Sequence, residues 1–275
     1  MTDNSRFTVI RETPGYWRIL ISNPPLNLFD PAMFADLNVL MDDIENDEDL
    51  KVVVFESTNE DFFVNHHDLA SREVPDRPGA KHFSHWPTFV TRLAQSSVLS
   101  IAKVRGRARA QGFEFALASD IRFASKERAV FALIEVAGAT IPGGGGIEWL
   151  AAMVGRSRAL EIVLGADDFD ADTAERYGFV NRSIPDSELD AYVDAFARRV
   201  AGFEKRALGL AKKMVNGRAG VPSEADFSTS NFILSEVNNW PEGAAALTKL
   251  NAAGFGQVGE FELNLGERIG NLPSA

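Results

Sequence analysis

The sequence predicts an α/β protein in which a mostly parallel β-sheet is followed by a helical C-terminal third. The first half alternates short runs of β-branched and aromatic residues with segments of helical periodicity. Strand-like runs then disappear between residues 186 and 250, where helical periodicity dominates. The 275 residues, 45% hydrophobic and 24% charged, have the composition of a folded globular chain with a large core.

The first elements form a strand, helix, strand unit. Residues 17–21 and 51–55 are rich in Val, Ile and aromatic side chains, and turn residues bound each run. Between them, Asp30 is placed as an N-cap and Pro31 as the first helical residue. Apolar residues at spacings of three and four then predict an amphipathic crossover helix: Met33, Leu37, Leu40, Met41 and Ile44.

The same pattern repeats further along the chain. An apolar run at 98–104 leads through Gly106 into a predicted helix at 111–118, and a further strand-like run follows at 120–124. Repeated units of a strand followed by a helix imply a mostly parallel sheet.

The C-terminal third is predicted to be an appended or assembly region. Helices are predicted at residues 187–200, 204–215 and 224–250, the last interrupted by Pro241. No linker separates them from the rest, so we place a soft boundary near residue 200, between a core of residues 1–200 and a helical oligomerisation region of residues 201–275. Residues 254–275 are Gly-rich and carry no assignable pattern.

Composition excludes several classes of function. The chain has no Cys, which removes thiol nucleophiles, disulfides and thiolate metal ligands. Its apolar runs are far shorter than the roughly 18 residues of a membrane span, and its first six residues lack a signal-peptide core. A net charge of −11 disfavours nucleic acid. We therefore expect a cytoplasmic protein with neither a membrane nor a nucleic-acid partner.

A carboxylate stands within an apolar helical segment. Glu114 lies in residues 112–118, where almost every neighbour is apolar. Burial would disfavour the charged form and raise the pKa of Glu114 toward that of a working acid or base. An exposed position, or a role in capping the helix start, is the alternative that the sequence leaves open.

A second carboxylate and a glycine run follow. Glu135 lies in another apolar stretch, and two carboxylates are the minimum needed to add or remove water, one activating it and the other supplying a proton. A chain with 39 acidic residues offers many such pairs, so the pairing alone is weak evidence for this chemistry. The four glycines of residues 143–146 open a predicted helix, and they either present N–H groups to an anion or form a tight turn.

Four cations alternate along the chain just before the Glu114 helix: Lys103, Arg105, Arg107 and Arg109. An extended segment would place all four on one face. Such a face suits a phosphate-bearing ligand, and a solvated edge or subunit contact is the alternative.

All the histidines of the chain lie within residues 66–85: His66, His67, His82 and His85. The helical spacing of His82 and His85, with Asp68 as a third ligand, is a candidate metal set. No longer zinc motif is present, so we interpret this region as a polar loop and predict no metal.

Taken together and in order, several segments resemble the crotonase family, the enoyl-CoA hydratases and isomerases. They are residues 23–28 (Asn-Pro-Pro-Leu-Asn-Leu), the strand at 51–55, the helix and Asp-x-Arg strand within 105–122, the Glu-to-Pro-Gly stretch of 134–145, and residues 154–159 and 174–181. The similarity covers about residues 7 to 250.

The resemblance implies a spiral of ββα units with a C-terminal helical trimerisation region, assembled as a homotrimer or a dimer of trimers. It implies an acyl-CoA thioester as ligand, with no separate cofactor because CoA is part of the substrate. Two main-chain N–H groups, of His67 and Gln111, would polarise the thioester oxygen. Glu114 and Glu135 match the two catalytic glutamates of hydratases.

The resemblance also implies substrate contacts by six residues: Leu26, Leu28, His66, Asp68, Leu69 and Gly143. The chain departs from the family pattern near them. His66 stands where the family has Gly, Ala110 and Gln111 replace two glycines of a triplet, and Ile134 replaces Pro before the second glutamate.

The retained glutamate pair favours an enoyl-CoA hydratase-like lyase. Another thioester reaction, that is isomerisation, hydrolysis or decarboxylation with His66 or His67 as an extra acid or base, is the second hypothesis. A non-catalytic oligomeric acyl-CoA binder is the third. Residues 71–90, which would set the acyl-chain preference, show no decodable pattern.

Overall fold

The computed structural model describes residues 5–71 and 85–272. Ten strands lie within them: β1 Phe7–Thr13, β2 Tyr16–Ile21, β3 Val52–Ser57, β4 Phe62–Val64, β5 Leu99–Val104, β6 Arg107–Arg109, β7 Ile121–Ser125, β8 Val130–Ala132, β9 Phe169–Asp170 and β10 Arg182–Ile184. The helices of this part are α1 Pro31–Asn46, α2 Trp86–Gln95, α3 Gln111–Ala118, α4 Gly146–Gly165, α5 Ala171–Tyr177, α6 Asp186–Ala201, α7 Lys205–Ala219, α8 Glu224–Val237, α9 Pro241–Ala253, α10 Glu260–Leu263 and α11 Leu265–Gly270. A 3₁₀ turn spans Glu135–Gly138.

The strands form two sheets. The larger has the order β1-β2-β3-β5-β7-β10 and the smaller has the order β4-β6-β8-β9. Pairing is parallel except between β1 and β2 and between β8 and β9. The mostly parallel arrangement predicted from the sequence is confirmed.

The chain visits the two sheets alternately. β3, β5 and β7 lie side by side in the larger sheet, and each is followed by its own partner, β4, β6 and β8, in the smaller sheet. A helical segment then returns the chain to the larger sheet. This is the spiral of ββα units that the sequence predicts, and it places three consecutive loops at one end of the smaller sheet.

Local signals account for the first helix. The carboxylate of Asp30 accepts a hydrogen bond from the N–H of Met33 at 2.6 Å, and Pro31 occupies the first turn. Its apolar face, with Met33 and Leu37 among others, packs into the main core between the sheets and the helices. The predicted cap and amphipathic face are both confirmed.

The prediction that Lys103, Arg105, Arg107 and Arg109 share one face is wrong, because the chain leaves the larger sheet between β5 and β6. Lys103 and Arg105 pair with Asp190 on α6, at 2.6 and 3.4 Å. Arg107 and Arg109 instead meet the end of the chain. All four cations have partners within the chain, so the strip does not present a phosphate site.

The proposed boundary near residue 200 coincides with the end of α6 at Ala201. Helix α7 contacts the core through a partly buried cation. The Lys212 ammonium on α7 donates to Asp120 at 2.7 Å and to the carbonyl oxygen of Val98 at 2.9 Å. The division into residues 1–200 and 201–275 stays a prediction.

Residues 254–272, here called the C-terminal segment, fold back onto the smaller sheet. Phe255, Phe261, Leu265 and Ile269 form an apolar cluster with residues of the β8 strand and the chain that follows it. This stretch has no pattern in the sequence, yet these four apolar side chains are buried. Across the described ranges, no helix combines the length and the apolar character needed to cross a membrane.

Candidate active site

The site is built where three parallel strands of the smaller sheet end. β4, β6 and β8 are neighbours, with parallel pairing on both sides of β6. His67 follows β4, Gln111 and Glu114 follow β6, and Glu135 follows β8. The carboxyl ends of parallel strands meet at one edge, which is the usual place for a ligand site in such sheets. The topology therefore brings together both predicted donors and both predicted carboxylates.

The peptide between His66 and His67 is fixed by a neighbouring segment. The N–H of Phe29 donates to the carbonyl oxygen of His66 at 3.0 Å, and the N–H of Asp68 donates to that of Phe29 at 3.0 Å. In a trans peptide the N–H points opposite to the carbonyl. The N–H of His67 is therefore directed away from the Phe29 segment.

The second predicted donor opens a helix. Gln111 is the first residue of α3, where backbone N–H groups have no partner within the helix. Ala110 precedes it at φ +46°, in the left-handed region that favours glycine, and turns the chain sharply from β6 into the helix. Ala110 thus adopts a strained backbone conformation at the point where the chain presents the N–H of Gln111.

Gly112 joins the two donor segments. Its N–H donates to the carbonyl oxygen of Asn65 at 3.1 Å. A Cβ at this position would lie 1.8 Å from the carbonyl oxygen of Val64, much closer than any nonbonded contact. Glycine is therefore required for α3 to begin against the chain that carries His67.

Glu114 is buried on α3, with 2% of its surface exposed. Its Oε1 accepts hydrogen bonds from the N–H groups of Gly144 and Gly146 at 2.8 and 3.0 Å. Burial raises the pKa of Glu114 to about 7, the two N–H groups oppose the rise, and the charge of Glu148 adds to it. The glycine run thus presents its N–H groups to a carboxyl group of the protein itself, and Glu114, with its pKa near neutral pH, can act as an acid or base.

Glu135 begins the 3₁₀ turn after β8. Part of the residue reaches the surface, but its Oε2 is buried and accepts no hydrogen bond from the residues that the structure describes. Burial, and then the charge of Glu114, raise the pKa of Glu135 well above its usual value. The two carboxyl groups therefore lie close enough to interact, and both burial and the charge of Glu114 favour the protonated form of Glu135.

The glycine run is enclosed by two helices. The indole Nε1 of Trp86, at the start of α2, donates to the carbonyl oxygen of Gly144 at 2.7 Å. On the other side, a Cβ at Gly143 would lie 2.5 Å from Cβ of Leu234 on α8. Neither Trp86 nor α8 was predicted to take part in the site, since their only signal is long-range packing.

Glu148 is a third carboxylate near the pair, one the sequence analysis did not single out. It lies in the first turn of α4, and the hydroxyl of Ser230 on α8 donates to its Oε1. Burial raises the pKa of Glu148 as well. The charge of Glu148 adds to the rise in the pKa of Glu114, which lies near neutral pH.

The His66 side chain does not face this site. It is 3% exposed, and its Nε2 and Nδ1 lie 3.0 Å from Oε1 of Glu262 and 3.0 Å from the carbonyl oxygen of His67. Both ring nitrogens are occupied by the protein itself. The geometry therefore does not support direct contact of this ring with substrate, or its use as an extra acid or base.

The remaining predicted contact residues surround the paired segments at 27–29 and 65–68. Leu26 is buried, Leu28 and Asp68 are partly exposed, and Leu69 is 45% exposed. The Asp68 carboxylate accepts from the N–H of Ala70 at 3.0 Å. Their contact with a substrate stays a prediction.

The candidate metal set lies partly outside the described residues, since His82 falls in the range 72–84. Most of the loop at residues 71–90 falls there too. In the parts of the chain that are described, no group of three or more His, Asp or Glu side chains is arranged to hold a metal ion.

Comparison with known proteins connects this geometry to a family. A family model described as enoyl-CoA hydratase/isomerase matches residues 12–239. The short-chain-enoyl-CoA hydratase of Clostridium acetobutylicum is 30% identical over 211 residues, which cover 76% of this chain and 80% of that protein. A probable mitochondrial enoyl-CoA hydratase of Dictyostelium discoideum is 28% identical over 214 residues, covering 76% of this chain and 75% of its own.

Solved structures agree with the sequence relatives. The crystal structure of a candidate enoyl-CoA hydratase from Streptomyces avermitilis superposes with a TM-score of 0.92 at 34% identity, covering 100% of both chains. An enoyl-CoA hydratase structure from Geobacillus kaustophilus has a TM-score of 0.73 at 26% identity, covering 92% of this chain and 96% of that one. The crotonase-like fold expected from the sequence is confirmed.

We expect Gly112→Ala to lower the free energy of unfolding by about 1–3 kcal/mol, the usual cost of forcing extra volume into a packed site. Here the added Cβ meets backbone, which cannot rotate away. Gly217→Ala is the matched control, because a Cβ there meets nothing within 4 Å on an exposed helical position. It should stabilise the protein by up to about 1 kcal/mol. Urea unfolding measures both, and equal effects of the two changes would contradict the close-approach argument.

Proposed function

We propose that this chain, which belongs to the enoyl-CoA hydratase/isomerase family, adds water across the double bond of an enoyl-CoA thioester and removes it in the reverse direction. The observation that carries the proposal is the pair of buried, interacting carboxyl groups, Glu114 and Glu135, at neighbouring strand ends. Hydration uses one group to take a proton from water and a second group to give a proton to the α carbon. Isomerisation or thioester hydrolysis needs one acid or base.

The thioester oxygen binds the N–H groups of His67 and Gln111 in this proposal. Nucleophilic attack on the β carbon pushes electron density onto that oxygen, which becomes an enolate. Two main-chain donors that are already in place stabilise this charge without reorganisation, and a donor of this kind contributes roughly 10²–10³ in rate. The contact of Gly112 with Asn65 supports the proposal, because it links the two donor segments directly.

The pKa directions divide the proton work between the carboxyl groups. Glu114, with its pKa at about 7, is substantially ionised at neutral pH and accepts a proton from the attacking water. Glu135, with its pKa well above the usual value, keeps its proton and delivers it to the α carbon.

The steps of the hydration balance in protons and electrons. The water oxygen forms a bond to the β carbon while its proton passes to Glu114, and the π electrons move into the enolate. The enolate then re-forms the thioester carbonyl as its α carbon takes the proton of Glu135. One water has been added, and a single proton transfer from Glu114 to Glu135, direct or through solvent, restores the starting state.

Assembly as a homotrimer or a dimer of trimers is also proposed. Several large apolar side chains on α7, α8 and the turn after α8 are exposed in the single chain: Leu210, Met214, Val215, Phe232, Ile233 and Trp240. Apolar surface of this extent is typical of a protein interface. The helical region after residue 200 would then be buried between subunits, and a cytoplasmic location stays a prediction.

We expect Glu114→Gln and Glu135→Gln each to lower kcat by ~100-fold to 10,000-fold, because each removes one proton transfer and keeps the side-chain shape. The double change should cost much less than the product of the two, since the groups act together in one addition reaction. Glu48→Gln, at an exposed position, is the matched control and should leave kcat unchanged. A panel of enoyl-CoA thioesters, followed by the absorbance of the conjugated double bond, measures the rates.

The pattern of loss separates the hypotheses. Full activity of Glu135→Gln with an inactive Glu114→Gln would replace hydration by a one-base reaction. If neither change alters turnover of any enoyl-CoA that binds, the chain is a non-catalytic binder.

The pH profile of kcat/KM should be bell-shaped. It should rise with pH through about 7 as Glu114 loses its proton, and fall at higher pH as Glu135 loses the proton that it must deliver. In Glu135→Gln the alkaline fall should vanish while the rise remains. A wild-type profile that falls between pH 6 and 8 would reverse the assigned roles.

Light scattering at micromolar concentration should give three or six times the chain mass of 30.1 kDa. A mass of 30.1 kDa would contradict the proposed assembly.

A further inference from the structure

The C-terminal segment places the carboxylate of Glu262 against Asn65 and His66, the two residues that precede His67. Glu262 is completely buried, at 0% exposure. Its Oε1 accepts from the N–H of Gly256 at 2.6 Å and faces Nε2 of His66 at 3.0 Å, and its Oε2 accepts from Nδ2 of Asn65 at 2.9 Å. Burial alone would raise the pKa of Glu262, but the bonds from His66, Gly256 and Asn65 lower it below the usual value. The carboxylate is therefore ionised.

The His66 ring lies between two oxygen atoms of the protein. Nε2 faces the ionised carboxylate of Glu262, and Nδ1 faces the carbonyl oxygen of His67. Both oxygens are hydrogen-bond acceptors, so both ring nitrogens are directed at acceptors of the protein itself. The ring also stacks on Phe255, with centroids 3.9 Å apart and planes 16° apart.

The segment that supplies Glu262 is itself held by two cations of β6. Nη1 of Arg109 donates to the carbonyl oxygen of Glu262 at 2.5 Å, and Nε of Arg107 donates to that of Leu263 at 2.6 Å. Arg109 is fully buried and also pairs with both oxygens of Asp168, at 2.9 and 2.5 Å. The carboxylate is thus presented from a fixed backbone.

These contacts converge on the residues next to His67. Asn65 and His66 directly precede it, and the His66 ring bonds its carbonyl. On the opposite side, the N–H of Phe29 holds the carbonyl of His66. The peptide between His66 and His67, which carries the N–H of His67, is therefore held both by Phe29 and by the C-terminal segment.

We propose that Glu262 is a positioning residue for the oxyanion hole, acting through its buried contact with His66 and its hydrogen bond to Asn65. The inference rests on the proposed function, because it assigns the N–H of His67 to the thioester oxygen. It gives the C-terminal segment a role in the site of its own chain, beyond assembly. It also gives a purpose to His66 at a position where the family pattern has glycine.

The central test is Glu262→Gln. The new amide removes the negative charge beside His66, and it offers one acceptor oxygen where the carboxylate offers two, to Gly256 and to Asn65. We expect kcat to fall ~10-fold to 100-fold, the lower part of the range for a misplaced donor. The dissociation constant of a saturated acyl-CoA should stay within about three-fold, because the donor contributes mainly when enolate charge develops.

A rescue variant makes the test specific. In Asn65→Asp combined with Glu262→Gln, the new carboxylate accepts from the new amide and restores a negative charge beside His66. We expect this double variant to recover most of the lost kcat. Glu260→Gln, an exposed neighbour on the same short helix, is the matched control and should change nothing. If Glu262→Gln does not fold, Asn65→Ala, which removes one donor to the carboxylate, replaces it in the comparison.

A second readout does not depend on turnover. Hydrogen–deuterium exchange of the peptide covering residues 62–68 should speed up at least tenfold in Glu262→Gln, while exchange in α1 stays the same. If the wild type hydrates enoyl-CoA but the variant keeps full kcat and normal exchange, the inference fails and the proposed function stands. If the wild type hydrates none, the proposed function fails. The exchange result then still decides whether Glu262 positions this segment.

Discussion

The contact between Gly112 and the chain at Val64 and Asn65 is the constraint on which the site depends. Helix α3 begins against backbone, at a distance that no side chain allows. That approach sets the two donor segments beside each other and aims Glu114 at the glycine run.

Burial acts differently on Glu262, Glu114 and Glu135. Glu262 receives hydrogen bonds from a ring, an amide and a main-chain N–H, so it stays ionised. Glu114 receives two main-chain N–H groups, which offset only part of the desolvation. Glu135 has a buried oxygen with no donor among the described residues, and burial and the charge of Glu114 raise its pKa well above the usual value. The balance of burial, hydrogen-bond donors and neighbouring charge thus separates a structural anion from two carboxyl groups with raised pKa values.

The sequence predicted the features that depend on neighbours along the chain. Asp30 and Pro31 define the start of α1 by local capping, and the alternation of strand and helix predicts the parallel sheets. The resemblance identified Glu114 and Glu135 in order, and the topology then explains why they meet. Burial of Glu114 was left open, because apolar neighbours in sequence do not decide which face of a helix is covered.

The features that could not be predicted from the sequence depend on contacts between residues far apart along the chain. Glu262 bonds Asn65 across 197 positions, and no local pattern indicates such a partner. The cations at positions 103–109 were misplaced because the chain changes sheets at Gly106, whose φ of +76° redirects the strand. Two cations therefore face α6 and two hold the C-terminal segment. The enclosure of the glycine run by Trp86 and Leu234 likewise arises only from packing.

The most direct test of the account is the vibrational frequency of a thioester carbonyl bound in the site. A saturated acyl-CoA labelled with carbon-13 at the carbonyl gives an isotope-edited infrared band, both free and bound to the wild-type protein. Two main-chain donors, from His67 and Gln111, should polarise the carbonyl and shift the band to clearly lower frequency on binding. A bound ligand whose band stays at the frequency found in water would contradict the existence of the oxyanion hole.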